Sequence, residues 1–451
     1  MRPHFPLPFW QIIVFGYTTF GRAFAYLGVN PLFIGEVFIG YSVIKNPNAW
    51  MRKWIQGVCE LRLIHTSVML LILWGLACVL RSIAHPIPGV STIDVLKSSV
   101  FSFYPICLPI GLAIGAQLTS AQFVQFMKRF AVWWAIYGVM YVGVMASGQW
   151  VPLPWKQEVP LFWQPPIAPL MPAALLAIWP LLNGWKWRLP LFLMSMVPVV
   201  VSPGRGVILG LVAALFVVSM VSARRALVVV GSAFAVLVLW WIVGPYFQAF
   251  EGRGQAMHPV FPISRIVATF NEDWAADMLI EAGYPGAADD ARIASDTADW
   301  RKTLWEGAMG SLDTTARMVF GHGHGPSFQQ FTPDGLDVRT PHNFAVYAIF
   351  YTGVFGLALF CLLLCGIILS SWMLPDRNIR TMQFAHIAAT VVLALVSNVF
   401  EAPFGAIPFY LLSGIILSLR YAPMTVGTVW VTYPAAVPAP VAPRRGPATV
   451  T

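Results

Sequence analysis

Charge is what this sequence has least of. Of its 451 residues, 10% are Asp, Glu, Lys or Arg, 58% are hydrophobic, and the mean hydropathy is +0.70. A soluble chain carries roughly 25% charged residues. This one has too few polar groups to cover a water-facing surface, which excludes an ordinary soluble enzyme. Cysteine is also scarce. Cys59, Cys78, Cys107, Cys361 and Cys365 all lie outside the long polar segment 244–342, so no structural disulfide is expected there. Cys361 and Cys365 are one helical turn apart in an apolar run, without acid or His partners, and read as small hydrophobes rather than a metal or redox pair. No repeat of fixed period is present. A concentrated basic patch is missing too. The net charge is +9, but Lys and Arg stand in short groups between apolar runs, which argues against a nucleic-acid partner.

What the sequence does have is long apolar windows near the length of a membrane span. They centre on 8–21, 31–45, 64–81, 100–118, 130–148, 166–183, 189–201, 206–222, 226–243, 343–372, 385–400 and 404–419. The expected fold is an all-α polytopic membrane protein of about twelve helices. With the N-terminus in the cytoplasm, the inner segments carry sixteen Lys and Arg and the short outer loops five: Arg22, Arg81, Lys97, Lys156 and Arg205. This positive-inside bias places both termini in the cytoplasm. The apolar segment resumes directly after Arg22–Ala25, so that stretch is not expected to be a cleavage site. Residues 1–243 hold the first nine spans, 244–342 an outer loop, 343–420 the last three spans, and 421–451 a disordered cytoplasmic tail rich in Pro, Ala and Val.

The outer loop concentrates thirteen of the nineteen acids. It is too long for a bare connector and is expected to contain helices. The best one starts at Ser295 or Asp296 and places Trp300, Leu304, Ala308 and Leu312 on one apolar face. That face suits the membrane surface or the cover of a cavity between spans.

The candidates for chemistry follow from position. His342 stands after Thr340 and Pro341, at the lip of the apolar run that begins at Phe344. An imidazole there can take a proton from a hydroxyl near neutral pH, and a helix N-terminus disfavours its charged form. The plainer role is a polar cap on a span. Gly353 and Gly356 share a face and are expected to let a neighbouring helix approach. Arg205, in VSPGRGVILG, is either a snorkelling anchor or a guanidinium that grips phosphate. Arg265, Arg301 and Arg317 are loop cations for which a surface ion pair is the default. His322 and His324, in GHGHG, lack the further ligands a metal needs and read as a glycine turn. Glu36, inside an apolar run, is expected to pair with Arg22.

Taken in order, these motifs resemble the O-antigen ligase and polymerase superfamily of bacterial membrane glycosyltransferases. HNFAVYAIFYTGVFG is similar to its histidine signature, SPGRG to its serine-arginine-glycine turn, and RKTLWEGAM with VFGHGHGPSF to its Arg-x3-Trp and Phe-Gly-x-Gly loop pattern. Gly204 stands where that turn often carries serine. The resemblance implies a GT-C-like helical fold in the inner membrane with a periplasmic active site. It also implies transfer, without metal or cofactor, of an oligosaccharide from undecaprenyl pyrophosphate. His342, Arg205 and Arg301 would be catalytic, and Arg265, Asn343 and Arg317 would bind substrate. The acceptor is a glycan or lipid-linked glycan, and further partners are polysaccharide export and assembly proteins. A polymerase of exopolysaccharide or O-antigen is expected, with a ligase to lipid A core as the alternative. A transporter would need charged residues and broken helices within the spans.

Overall fold

The computed structural model of the chain describes residues 8–29, 32–45, 47–60, 62–147, 150–153, 156–160, 170–182, 186–201, 205–221, 260–267, 271–284, 288–332, 340–419, 425–426 and 429–430, with single positions at 227, 231, 234, 238, 242, 335 and 338. In chain order the helices are α1 Phe9–Phe20, α2 Ile34–Lys45, α3 Pro47–Cys59, α4 Leu63–Ala84, α5 Thr92–Phe103, α6 Cys107–Gly115, α7 Ser120–Ser147, α8 Leu170–Ala177, α9 Arg188–Val201 and α10 Arg205–Val221. The loop helices follow as α11 Val260–Val267, α12 Glu272–Glu281, α13 Ala288–Gly310 and α14 Thr315–Phe320. The C-terminal helices are α15 Phe344–Trp372, α16 Arg377–Ala394 and α17 Pro403–Ser418. Strands are confined to short antiparallel pairs such as Trp150–Leu153 with Lys156–Pro160.

A helix occupies each expected apolar window except 226–243, most of which lies outside the described residues. Among the described residues, three helical segments are long and apolar enough to cross a membrane by length and composition: Leu63–Ala84, Thr92–Gly115 and Phe344–Trp372. The protein is therefore an α-helical membrane protein, while the full set of twelve spans stays an expectation. The expected tail 421–451 lies outside the described residues apart from the strand pair Thr425–Val426 and Val429–Trp430.

Several boundaries differ from the sequence expectation. The loop helix α13 starts at Ala288, not at Ser295 or Asp296, so those two residues lie inside it. The alanine-rich run upstream supports the extension, and Asp289 and Asp290 in the first turn favour the helix dipole. It stops at Gly310, and Thr314 caps α14 by accepting from the Arg317 N–H at 3.2 Å. The expected apolar face of α13 does form: Leu304, Ala308 and Leu312 are buried, and Leu304 and Ala308 join the main core. The window 385–400 is a helix shifted toward the N-terminus, α16, because Asp376 caps it through the Asn378 and Ile379 N–H groups. Its last apolar residues form a turn instead, 395–402, buried from Val399 onward, ahead of Pro403.

The greatest departure is in α15. It is not one continuous helix, because Gly353 has φ 73° and ψ 178° and breaks it. The expected glycine-to-glycine packing role falls elsewhere. Gly111 of α6 and Gly414 of α17 meet, and a Cβ on Gly111 would stand 3.0 Å from the Gly414 Cα. Gly356 does face a neighbour, with the Trp74 indole nitrogen 3.2 Å from where its Cβ would be.

The break leaves the carbonyls of the preceding turn without helical partners, and the GHGHG segment fills that gap. The His322 N–H donates to Phe350 O at 2.7 Å, and the Gly323 N–H donates to Tyr351 O at 3.1 Å. The Trp74 indole N–H donates to Thr352 O at 3.0 Å. Buried carbonyls are thereby satisfied across 28 to 278 positions of chain, which ties the polar loop to the spans. Arg81 closes the clasp from α4 by donating to Phe320 O at 2.7 Å. Glu36 is taken up by the Phe33 N–H at 3.2 Å and the Tyr104 hydroxyl at 3.1 Å, while Arg22 lies over the Tyr26 ring.

Candidate active site

His342 sits where α15 begins, and it is the one non-glycine residue with positive φ (54°) among the described residues. Such a conformation is costly for a side-chain-bearing residue and persists only when its surroundings hold it. Here Pro341 precedes it, and the Pro341 carbonyl accepts from the Trp305 indole N–H at 2.7 Å. The helix cap is Asn343, whose Oδ1 accepts from the Ala345 and Val346 N–H groups at 3.0 and 3.2 Å. The plain capping role therefore belongs to Asn343 and leaves the imidazole of His342 unassigned to it. That imidazole is half-buried and has no hydrogen-bond partner among the described residues.

The electrostatics keep it neutral. Burial, then the charges of Arg301 and Arg22, lower the His342 pKa to about 4. The sequence assigned this effect to the helix N-terminus, but desolvation and two cations account for it. Arg301 is one turn before Trp305 on α13, so one loop helix both anchors the approach to His342 and presents a guanidinium beside it. Arg301 is half-buried, and burial lowers its pKa. Its Nη1 donates to Val396 O at 3.4 Å, a long contact, and it has no carboxylate partner among the described residues.

Val396 belongs to the turn 395–402, which gathers the site's elements. Gly206 packs on it, with Val396 Cγ2 2.8 Å from where a Cβ would stand. Arg205 is the first residue of α10, next to Gly206, and residues 202–204 lie outside the described residues. On the other side, Phe400 meets Phe344, the first residue of α15, with centroids 5.3 Å apart. The turn thus stands between the start of α10, Arg301 and the start of α15. Arg265 is carried by α11, which packs against both α10 and α13.

Two other candidates lie in different settings. Arg317 pairs with Asp313 at 2.8 Å on an exposed face, the surface pairing expected by default, and its charge acts on His322. His322 bonds to the Ser311 Oγ at 2.9 Å. His324 is buried against Tyr351, its N–H donates to the Ser82 Oγ at 2.7 Å, and burial lowers its pKa to about 3. No group of His, Cys, Asp or Glu among the described residues could hold a metal. The two histidines act in the clasp on α15.

Sequence reasoning missed the turn 395–402. Its signal was an acid, Glu401, and an amide, Asn398, at the junction of two apolar windows. Both carboxyl oxygens of Glu401 are buried with no hydrogen bond of normal geometry among the described residues, and burial pushes its pKa up to about 8 against the weaker pull of nearby backbone N–H groups. The folded state therefore holds Glu401 protonated. Its contribution is complete below the unfolded value of 4.5 and is lost as pH rises through about 8, at about 1.4 kcal/mol per pH unit in between. Thermal unfolding in detergent at pH 5 and pH 8 checks this. The wild type is expected to lose more of its midpoint toward pH 8 than Glu401→Gln, and parallel curves would refute the assignment.

The fold and this end of the bundle define a helical membrane protein with a neutral histidine set between cations. Residues 189–361 match a family model described as O-antigen ligase. The chain thus carries an O-antigen ligase family domain over those residues, which supports the resemblance to the O-antigen ligase and polymerase superfamily. The matched segment runs from α9 into α15 and includes Arg205, Arg265, Arg301, Arg317, His342 and Asn343; Arg22 and the turn 395–402 lie outside it. No curated protein matches the chain.

Proposed function

We propose that this protein is a glycosyltransferase that moves an oligosaccharide from a polyprenyl pyrophosphate donor, undecaprenyl pyrophosphate in the expected setting, to a glycan acceptor on the periplasmic face. The observation that carries the proposal is His342, an imidazole with no hydrogen-bond partner among the described residues, whose charged form is disfavoured by burial and by the charges of Arg301 and Arg22. In the reaction an acceptor hydroxyl oxygen attacks the anomeric carbon and the bond from that carbon to phosphate breaks. The pyrophosphate leaves with the electron pair, and a ring nitrogen of His342 takes the hydroxyl proton. Arg301 and Arg205 stabilise the charge growing on the leaving group. Burial and the charges of Arg301 and Arg22 hold His342 at low basicity. An arriving pyrophosphate offsets the two cations and raises it, so the base becomes competent when donor is bound.

The acceptor distinguishes two forms of the reaction. We favour a polymerase that lengthens a lipid-linked polysaccharide; the O-antigen ligase family match supports a ligase as the second reading. The test is complementation of a deletion strain with His342→Ala at equal membrane expression, with glycans resolved on gels. Failure to restore the wild-type glycan is expected. Restoration would remove the catalytic role. In the failing strain, single repeats still attached to their acceptor mark a polymerase, and long chains stranded on the carrier lipid mark a ligase.

A further inference from the structure

A cavity of about 650 Å³ lies at the end of the bundle opposite His342. Its place follows from antiparallel packing of α4 on α15. Near the His342 end, Trp74 and Arg81 of α4 bond to Thr352 and Phe320. At the other end, Leu63 and Ile64 pack on Gly366. Ser370, on the cavity wall, is roughly 40 Å of chain from His342 at helical rise. Loop charge assigns this end to the cytoplasmic side in the expected topology.

The cavity has two different parts. Gln56, Arg62 and His65 contribute to its wall where α3 meets α4, and Leu112, Ala113 and Leu417 supply apolar wall from α6 and α17. Gln56 and Arg62 converge on one carboxylate, Glu60, at 2.6 and 2.5 Å, so donors here already hold an anionic group at the rim. The His65 Nδ1 is buried with no partner. Over residues 45–62 the chain carries Lys45, Arg52, Lys53 and Arg62 against this one acid, so the stretch that supplies the polar wall is net cationic. The helix α3 interleaves Trp50, Trp54 and Ile55 with Arg52, Lys53 and Gln56, the pattern of a helix lying in a membrane interface.

Each part excludes a simple occupant. A soluble anion needs no apolar wall and would fill little of this volume. A bare hydrocarbon would leave the polar wall of Gln56 and Arg62 and the buried His65 nitrogen unmatched. We propose that the cavity binds an anionic phospholipid from the membrane surface at that end. Its phosphate sits at Arg62 and His65, and the first part of its chain lies on Leu112, Ala113 and Leu417. This site is separate from the glycosyl-transfer proposal, and the failure of either leaves the other standing.

The test uses the purified full-length chain in detergent, stripped of lipid. Phosphatidylglycerol, phosphatidylcholine and inorganic phosphate are titrated separately and together, with retained lipid counted by native mass spectrometry. The expected result is one phosphatidylglycerol per chain, retained at least about fivefold better than phosphatidylcholine, as one cation near an anionic headgroup implies. Arg62→Gln, on the exposed rim, is expected to erase about fivefold of that preference. Ala113→Phe fills the apolar part and is expected to weaken retention of both lipids. Equal retention of the two lipids by the wild type overturns the proposal. So does displacement of phosphatidylglycerol by equimolar phosphate, which would mark a soluble-anion site. Should Ala113→Phe not fold, Arg62→Gln still decides: an unchanged preference overturns the proposal.

Discussion

Arg301→Ala is expected to lower glycan transfer by about 10²–10³-fold, the scale of losing one preorganised donor to a developing anion. The guanidinium is half-buried, has one long contact to the Val396 carbonyl, and is among the causes that depress the His342 pKa. Among the described residues no carboxylate pairs with it, so its charge is available to a ligand. Arg301→Lys is expected to recover little, because a point charge cannot hold two phosphate oxygens as a planar fork does. A second readout separates its roles. A cation disfavours imidazolium, so removing Arg301 raises the His342 pKa, and the acid limb of the pH–activity profile should move to higher pH. Transfer measured in detergent with a lipid-linked donor checks both. Wild-type rates in Arg301→Ala would end the anion-stabilising assignment. A slow enzyme with an unmoved acid limb would confine Arg301 to the donor.

Gly353→Ala is expected to be the most destabilising single methyl addition near the site, at about 4 kcal/mol or more. Two effects combine. The backbone there has φ 73° and ψ 178°, a region essentially closed to residues with a Cβ, at about 1–3 kcal/mol. An added Cβ would also run into the Val319 carbonyl, where α14 packs on the break. Relief of that contact would move Phe320 to Gly323 and strip donors from the carbonyls of Phe350 and Tyr351. Each buried carbonyl left unsatisfied costs about 1–3 kcal/mol. Gly40→Ala, in α2, meets nothing within 4 Å and serves as the contrast. Thermal unfolding of both variants in one detergent gives the comparison. Equal midpoints would show that the break in α15 is not held by the clasp.

Gly353 also shows where reading a sequence stops. Its spacing from Gly356 is correct for a helix face, and periodicity alone cannot tell a packing glycine from a breaking one. The distinction lies with Val319 and Phe320, which arrive from a distant loop. Similarly, His342 was legible as a residue at the lip of a span. Its freedom from capping was not, because Asn343 takes that role through backbone geometry. Arg301 was legible through its spacing to Trp305, but its charge on His342 depends on how α13 lies across the spans. The Val396–Ala402 turn offered only an acid among apolar residues, and its importance comes from three elements meeting there.

By itself the sequence determined that this chain is a bundle of apolar helices with one polar loop, because charge depletion and window length answer directly to the bilayer. It also placed the histidine and the loop arginines in order along the chain, since motif spacing is local. The tertiary structure alone decided that α15 is broken and repaired by a loop, and that burial with the charges of Arg301 and Arg22 disfavours the charged form of His342. It alone placed a cavity lined by Arg62, His65 and apolar residues at the far end. These outcomes depend on desolvation and on contacts between residues tens to hundreds of positions apart, which no local pattern encodes.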